Sequence, residues 1–154
     1  LHDLLLRRLG DAVVQGTAAD VPGVQALLAR VGLSTSGIPE EIAELWVIQG
    51  TDKEVVGCVA IEIYDDTALL RSLAVHPDRR GEGLGWMLAE MVQLRVRQRG
   101  LRQVCLLTEH ATDFFAEKFG FRPVPREGLP PEVQISSEYQ RFCGRAVAMA
   151  LEIS

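Results

Sequence analysis

The sequence predicts an α/β fold of the α+β kind. It has a mixed, largely antiparallel central sheet flanked by helices, in one domain spanning residues 1–154. Three observations predict it. Residues 45–49 (Leu-Trp-Val-Ile-Gln), 54–64 and 68–75 are apolar, strand-like runs separated only by the turns Gly50-Thr51-Asp52-Lys53 and Asp65-Asp66. Such runs pair as an antiparallel meander. Leu84, Met87, Leu88, Met91 and Val92 then recur at helical spacing in a helix that reaches about Arg99. Finally, 102–108 (Arg-Gln-Val-Cys-Leu-Leu-Thr) reads as a strand, which the helix crossover sets parallel to 68–75.

The remaining elements follow in order. Residues 12–17 (Ala-Val-Val-Gln-Gly-Thr) read as a first strand. Asp20 is the expected N-cap, with Pro22 in the first turn, of a helix through Arg30 that Gly32 can end. Ala26, Leu27 and residues 29–31 suit its buried side. Pro39 is expected to open a short second helix through Glu44. Arg95, Arg97 and Arg99 suit the C-terminal end of the crossover helix, and Gly100 is a natural residue beyond it. A short helix is expected from Thr112, as cap, to Phe119, ended by Gly120. Phe121 starts another strand, 126–131 is a loop, and residues 144–153 alternate as a final strand.

A chain of 154 residues is long enough to bury a sizeable core. Its hydrophobic fraction of 47% and charged fraction of 24% match an ordinary soluble protein, and its net charge of -5 argues against nucleic acid as a partner. Cys58, Cys105 and Cys143 are widely spaced with no Cys-x-x-Cys, which fits a reducing, cytoplasmic location and no zinc site. His2, His76 and His110 are scattered, so no metal is expected. Leu4-Leu5-Leu6 is too short for a secretory core, and no apolar stretch approaches a membrane span.

The most informative segment is Leu73-Ala-Val-His-Pro-Asp-Arg-Arg-Gly-Glu-Gly-Leu-Gly85. A strand leads into a glycine-rich turn that opens a helix. The helix start presents unpaired N–H groups and the positive end of the helix dipole. Glycines let the backbone approach phosphate oxygens, and Arg79 and Arg80 add charge. A dinucleotide fingerprint wants a small residue where Trp86 stands, and an acidic one about 20 residues on, where Leu101-Arg102-Gln103 lies. No Gly-Lys-Ser/Thr of a P-loop is present.

What remains, Arg80-x-x-Gly83-x-Gly85 after Leu73-Ala74-Val75, closely resembles the acetyl-CoA loop of the GNAT N-acetyltransferase superfamily. Phe114-Phe115-Ala-Glu-Lys-Phe-Gly120-Phe121 resembles the family's second motif, and the order of elements matches along about the whole chain. The resemblance implies an acyl-CoA cleft where strands 68–75 and 102–108 splay apart. Leu73, Ala74 and Val75 would meet the pantetheine arm. Arg80, Gly81, Glu82, Gly83, Leu84, Gly85 and Trp86 would hold the pyrophosphate, with Phe115 assigned to the same cofactor, acetyl-CoA. The family's usual Tyr, which protonates the leaving thiolate, falls at Ala116, and its usual Asn at Glu109.

Amine acetylation requires a base and stabilisation of an oxyanion. A backbone N–H at the splay can serve the oxyanion. Three side chains are candidates for the missing catalytic groups. Strand alternation puts Glu62 with Ala60 and Tyr64 on one face, either as a base in a substrate cleft or on a solvated face. Glu109 either orients the amine through water or satisfies a helix start. Tyr139 is a candidate acid. Arg71 and Ser72 flank the thioester position; Arg71 either forks onto a substrate carboxylate or forms a cross-strand salt bridge to Glu62 or Asp66.

Residues 136–144 (Ser-Ser-Glu-Tyr-Gln-Arg-Phe-Cys-Gly), taken with Leu70–Val75, resemble GNAT proteins associated with arsenic-resistance operons, and also the acetyltransferase domain of N-acetylglutamate synthases. That subgroup often carries Cys-Pro where this chain has Cys143-Gly144. Ser137 and Glu138 are the acceptor-pocket candidates; the other reading of the segment is a loop and helix tying down the last strand. The function implied is acetyl transfer to a primary amine of a small molecule, an amino acid or amino-acid-like toxicant. The alternatives are a protein or peptide amine acceptor, or a CoA-binding sensor without catalysis. No nucleic-acid or membrane partner is expected, and exposed strand edges admit a homodimer.

Overall fold

The computed structural model describes residues 12–142 and 144–153; His2, the Leu4–Leu6 run and Cys143 lie outside them. The strands are β1 (Val14–Gln15), β2 (Glu44–Gln49), β3 (Val55–Tyr64), β4 (Thr67–Val75), β5 (Gln103–Thr108), β6 (Arg122–Val124) and β7 (Val147–Glu152). The helices are α1 (Val21–Arg30), α2 (Leu84–Gln98), α3 (Thr112–Phe119), α4 (Pro131–Gln134) and α5 (Ser137–Arg141). The strands form one sheet in the order β1-β2-β3-β4-β5-β7-β6. Every neighbouring pair is antiparallel except β4 and β5, which α2 connects as a parallel pair.

Alternation along β3 divides the core between the two faces of the sheet. Val59 and Ile61 point to one face, where Leu88, Met91, Val92 and Val96 of α2 cover them together with Phe115 of α3. Cys58 and Ala60 point to the other, under Val24, Leu27 and Leu28 of α1. A third cluster, of Leu69, Cys105 and Leu107 with Leu129 and Val133, lies beneath the C-terminal segment. Apolar burial of this kind stabilises by about 25 cal/mol for each Å² removed from water.

Glycines end the helices as their spacing indicates. Gly32 has φ +79°, Leu33 N–H reaches Leu28 O at 2.8 Å and Gly32 N–H reaches Ala29 O at 3.2 Å, which is the Schellman pattern. No helix among the described residues is long and apolar enough to cross a membrane.

Several local expectations change. Of the residues expected on the buried side of α1 only Leu27 is buried; Ala26, Ala29 and Arg30 are exposed, and Val24 and Leu28 pack beside Leu27 instead. The first strand pairs only over Val14–Gln15, because Gly16 N–H bonds to Leu45 O and the chain then turns into a short 3-10 segment. Pro39 opens no helix: Ile38 N–H bonds to Thr35 O and Glu41 N–H to Gly37 O, single turns that seat Ile38 in the core before Ala43 joins the sheet edge. Thr112 is not the cap of α3. Ala111 occupies that position, and its N–H is satisfied by Thr108 Oγ1 at 2.9 Å. The final strand is limited to Val147–Glu152, and the 126–131 loop contains a 3-10 turn with Pro131 starting α4.

Candidate active site at the strand splay

β4 delivers Val75 to the glycine loop. His76 Nδ1 accepts the Asp78 N–H at 3.1 Å, closing the turn that Pro77 begins. Gly81 and Gly83 have φ +82° and +83°, the left-handed region that other residues adopt at a cost, and a Cβ on either would meet nothing within 4 Å. Both glycines therefore border open space. The first-turn amides of α2, at Leu84, Gly85 and Trp86, have no carbonyl within the helix to pair with. The loop edges a depression of about 560 Å³, bounded also by Arg79, Arg80, Phe114 and Lys118. Arg79 is tied to Glu82 at 2.9 Å, whereas Arg80 and Lys118 form no ion pair among the described residues. A helix N-terminus, two backbone positions free of Cβ and two available cations fit a pyrophosphate.

The second feature is the splay itself. The parallel ladder runs only from Thr67 to Leu69 against Gln103 to Cys105. Beyond it, Leu70–Leu73 and Leu106–Thr108 line opposite walls of a cavity of about 370 Å³. A bulge turns β4 at this level. Cys58 pairs with Ala74 and Ala60 with Arg71, so Ser72 and Leu73 together oppose Val59, and Ser72 sits at φ +60°. A bulge of this kind leaves backbone groups outside the ladder, here on the strand that walls the cavity. The Cys58 thiol donates to Ser72 O at 3.3 Å, and burial pushes that thiol up to about 12, so it is no nucleophile.

Behind the cavity lies a buried charged network. Arg71 is 2% exposed. Its Nη1 donates to Glu62 Oε2 at 2.8 Å, its Nη2 to Ser36 O at 2.6 Å and its Nε to Ser72 Oγ at 3.1 Å. Glu62 is fully buried, and its other oxygen accepts the Tyr64 hydroxyl. Burial and the adjoining Glu62 push the Tyr64 phenol up. On the cavity side stands Glu138, 3% exposed, with Oε1 at 3.0 Å from Arg141 Nη2 and 3.8 Å from Arg71 Nε. Burial raises the Glu138 carboxyl above its usual range, and the two guanidiniums pull it only part of the way back.

The cavity brings together Arg71, Ser72, Leu73, Glu109, Phe115 and Glu138. Val75, Arg80, Gly81, Gly83, Leu84, Gly85 and Trp86 meet at the loop depression. Glu62 belongs to neither place. It sits behind Arg71 with both oxygens engaged, which rules out the solvated face and removes it from the cavity. Arg71 takes the cross-strand pairing to Glu62, and its donors are committed to protein acceptors rather than left to fork onto a substrate. Tyr139 does not line the cavity: its ring packs on the cluster around Leu69 and Cys105, under the Arg126 guanidinium at 4.8 Å. Ser137 is turned to Glu41. Ala74 is buried on the α1 side.

Sequence reasoning missed Lys118, Phe114, Arg141 and residues 31–34. Lys118, Phe114 and Arg141 stand inside motifs already singled out by sequence. The 31–34 segment, which forms a cavity wall, carries no local signal.

The acetyltransferase (GNAT) domain family matches residues 41–123, more than half of the chain, and the chain belongs to that family. Acetyl-CoA is the acetyl donor of these enzymes, and the loop described above fits it. Among curated relatives, the amino-acid acetyltransferase of Mannheimia succiniciproducens is 33% identical over 81% of this chain, and that of Serratia proteamaculans is 31% identical over 85%. The chain spans about 30% of the length of these relatives. Two solved structures share the fold. N-acetylglutamate synthase from Neisseria gonorrhoeae, complexed with coenzyme A and N-acetyl-glutamate, has a TM-score of 0.78 at 23% identity, over 93% of this chain and 35% of that one. A Mycobacterium tuberculosis protein in complex with CoA has a TM-score of 0.75 at 24% identity, over 92% and 99%.

Proposed function

We propose that this chain moves the acetyl group of acetyl-CoA to the primary amine of a small acceptor of the amino-acid class. The observation that carries this reading is the splay cavity, which meets both charges of a zwitterion. Arg141 and, behind it, Arg71 make one wall positive, while Glu138 and Glu109 supply carboxylates for an ammonium. A volume of about 370 Å³ suits an amino acid better than a peptide chain. The names of the relatives, amino-acid acetyltransferases, support the same acceptor class.

The donor thioester would enter between β4 and β5, with the pyrophosphate at Gly81–Trp86. Backbone groups released at the Ser72 bulge are the candidates for holding the developing oxyanion. Amino-acid-like toxicants, with a phosphinic or arsenical group in place of a carboxylate, offer the same pair of charges and belong in the acceptor screen. The free, buried thiols of Cys58 and Cys105 suit a reducing cytoplasm.

The test is calorimetric titration with acetyl-CoA, with acetate and NAD as controls, followed by a free-thiol assay across amino acids. Saturable binding and thiol release with one acceptor group support the reading. Absence of acetyl-CoA binding overturns it.

A further inference from the structure

Two of the three carboxylates first expected to act near the acceptor are poorly placed for proton transfer from a bound amine. Glu62 has both oxygens engaged and lies outside the cavity. Glu109 is exposed at the rim, 3.7 Å from His110, where water competes with any substrate. Glu138 differs from both. It lines the cavity and is almost fully buried. It is held from one side, because Oε1 takes Arg141 and faces Arg71, while no protein donor among the described residues bonds to Oε2.

We infer that Glu138 is the general base that deprotonates the acceptor ammonium, held at Oε1 by the Arg141 guanidinium at 3.0 Å. The inference rests on the proposed acetyl transfer and supplies its missing proton acceptor. Oε2 takes one proton from the ammonium. The neutral nitrogen adds to the thioester carbonyl carbon, and the carbon–sulfur bond breaks as the amide forms. The CoA thiolate takes a second nitrogen proton, and Glu138 releases its own to solvent. The balance is acetyl-CoA and R–NH3+ giving the N-acetyl amide, CoA thiol and one proton. Charged and titratable groups near Glu138 are Arg71 from β4, Arg141 from α5, Glu62 from β3, Glu41 from the turn before β2, and Glu109 and His110 after β5. The raised Glu138 carboxyl places its ionisation closer to neutral pH, as a base requires.

The experiment compares wild type, Glu138→Gln and Glu138→Asp in acetyl-CoA titration, melting, and kcat against pH with the best acceptor. Glu138→Gln is expected to lose about 100-fold in kcat, keep its acetyl-CoA affinity, and lose the acidic limb of the pH profile. Glu138→Asp keeps a charge against Arg71 and Arg141. It should retain the acidic limb with kcat lowered about tenfold. A folded Gln variant within about threefold of wild-type kcat, with the limb intact, overturns the inference while acetyl transfer stands. If the Gln variant does not fold, an Asp variant without activity or acidic limb overturns it. Wild type that binds acetyl-CoA but releases no thiol with any amine overturns the transfer reading, and this inference with it.

Discussion

Replacing Arg71 by Met tests whether the network behind the cavity is a buried, mutually dependent unit. The guanidinium has three protein acceptors within 3.1 Å, and one of them, Glu62, is fully buried. Methionine leaves Glu62 with only the Tyr64 hydroxyl. Breaking a buried pair by removing one partner costs about 3–5 kcal/mol, because an uncompensated charge stays inside. At about 2–4 °C per kcal/mol for a chain of this size, the melting temperature should fall by about 6–20 °C. Glu62→Leu alone should cost less, since Arg71 keeps Ser36 O and faces Glu138 at 3.8 Å. The double variant removes both charges and should recover about 2 kcal/mol or more relative to the sum of the singles. Urea unfolding followed by the fluorescence of Trp46 and Trp86 measures all four proteins. Singles that add to the double within about 0.5 kcal/mol would refute the pairing as an energetic unit.

Three other outcomes are expected. Gly83→Trp should abolish acetyl-CoA binding by calorimetry, whereas Gly83→Ala, which shares the strain of φ +83° at about 1–2 kcal/mol, should melt lower but still bind. Equal binding by both variants would contradict the loop assignment. Lys118→Glu should weaken acetyl-CoA binding about tenfold and flatten its salt dependence with little change in melting, because Lys118 is exposed and unpaired among the described residues. Glu44 governs stability in acid. Burial raises its carboxyl, but hydrogen bonds from Arg95, Trp46 and Arg99 outweigh burial and bring it from 4.5 to about 2. A depressed folded value adds stability above the unfolded one that is lost as pH falls from 4.5 towards 2; at about 1.4 kcal/mol per pH unit this is about 3 kcal/mol. Denaturant midpoints should therefore drop across that window in wild type and much less in Glu44→Gln, and parallel curves would contradict the assignment.

Much of the fold was legible because its determinants are local. The alternation of Val59, Ala60 and Ile61 sorted the two faces of β3. The spacing of Leu84, Leu88, Met91 and Val92 set the buried side of α2. Gly81 and Gly83 announced a backbone that only glycine adopts cheaply, and the loop around them opens as expected. The Pro39 segment misled, since proline suits a helix start and a tight turn equally, and only the seating of Ile38 under α1 decides between them.

Strand pairing offered the Arg71–Glu62 contact as one reading of Arg71, but which reading holds and which carboxylate faces the cavity were not local properties. Glu62 and Arg71 are nine positions apart, and their contact depends on the register of β3 against β4, which runs unbroken from the Asp65–Asp66 turn to the Ala60–Arg71 pair before the bulge at Ser72–Leu73. Glu138 and Tyr139 are adjacent in sequence, yet one reaches the cavity and the other packs on the cluster around Leu69. The sequence by itself determined the order of elements along the chain, the buried face of α2 and the glycine loop, because periodicity and glycine placement act within a few residues. Only the tertiary structure decided where β4 and β5 part and which carboxylate faces that gap. Those outcomes depend on strand register and burial between segments far apart in the chain, which no local pattern encodes.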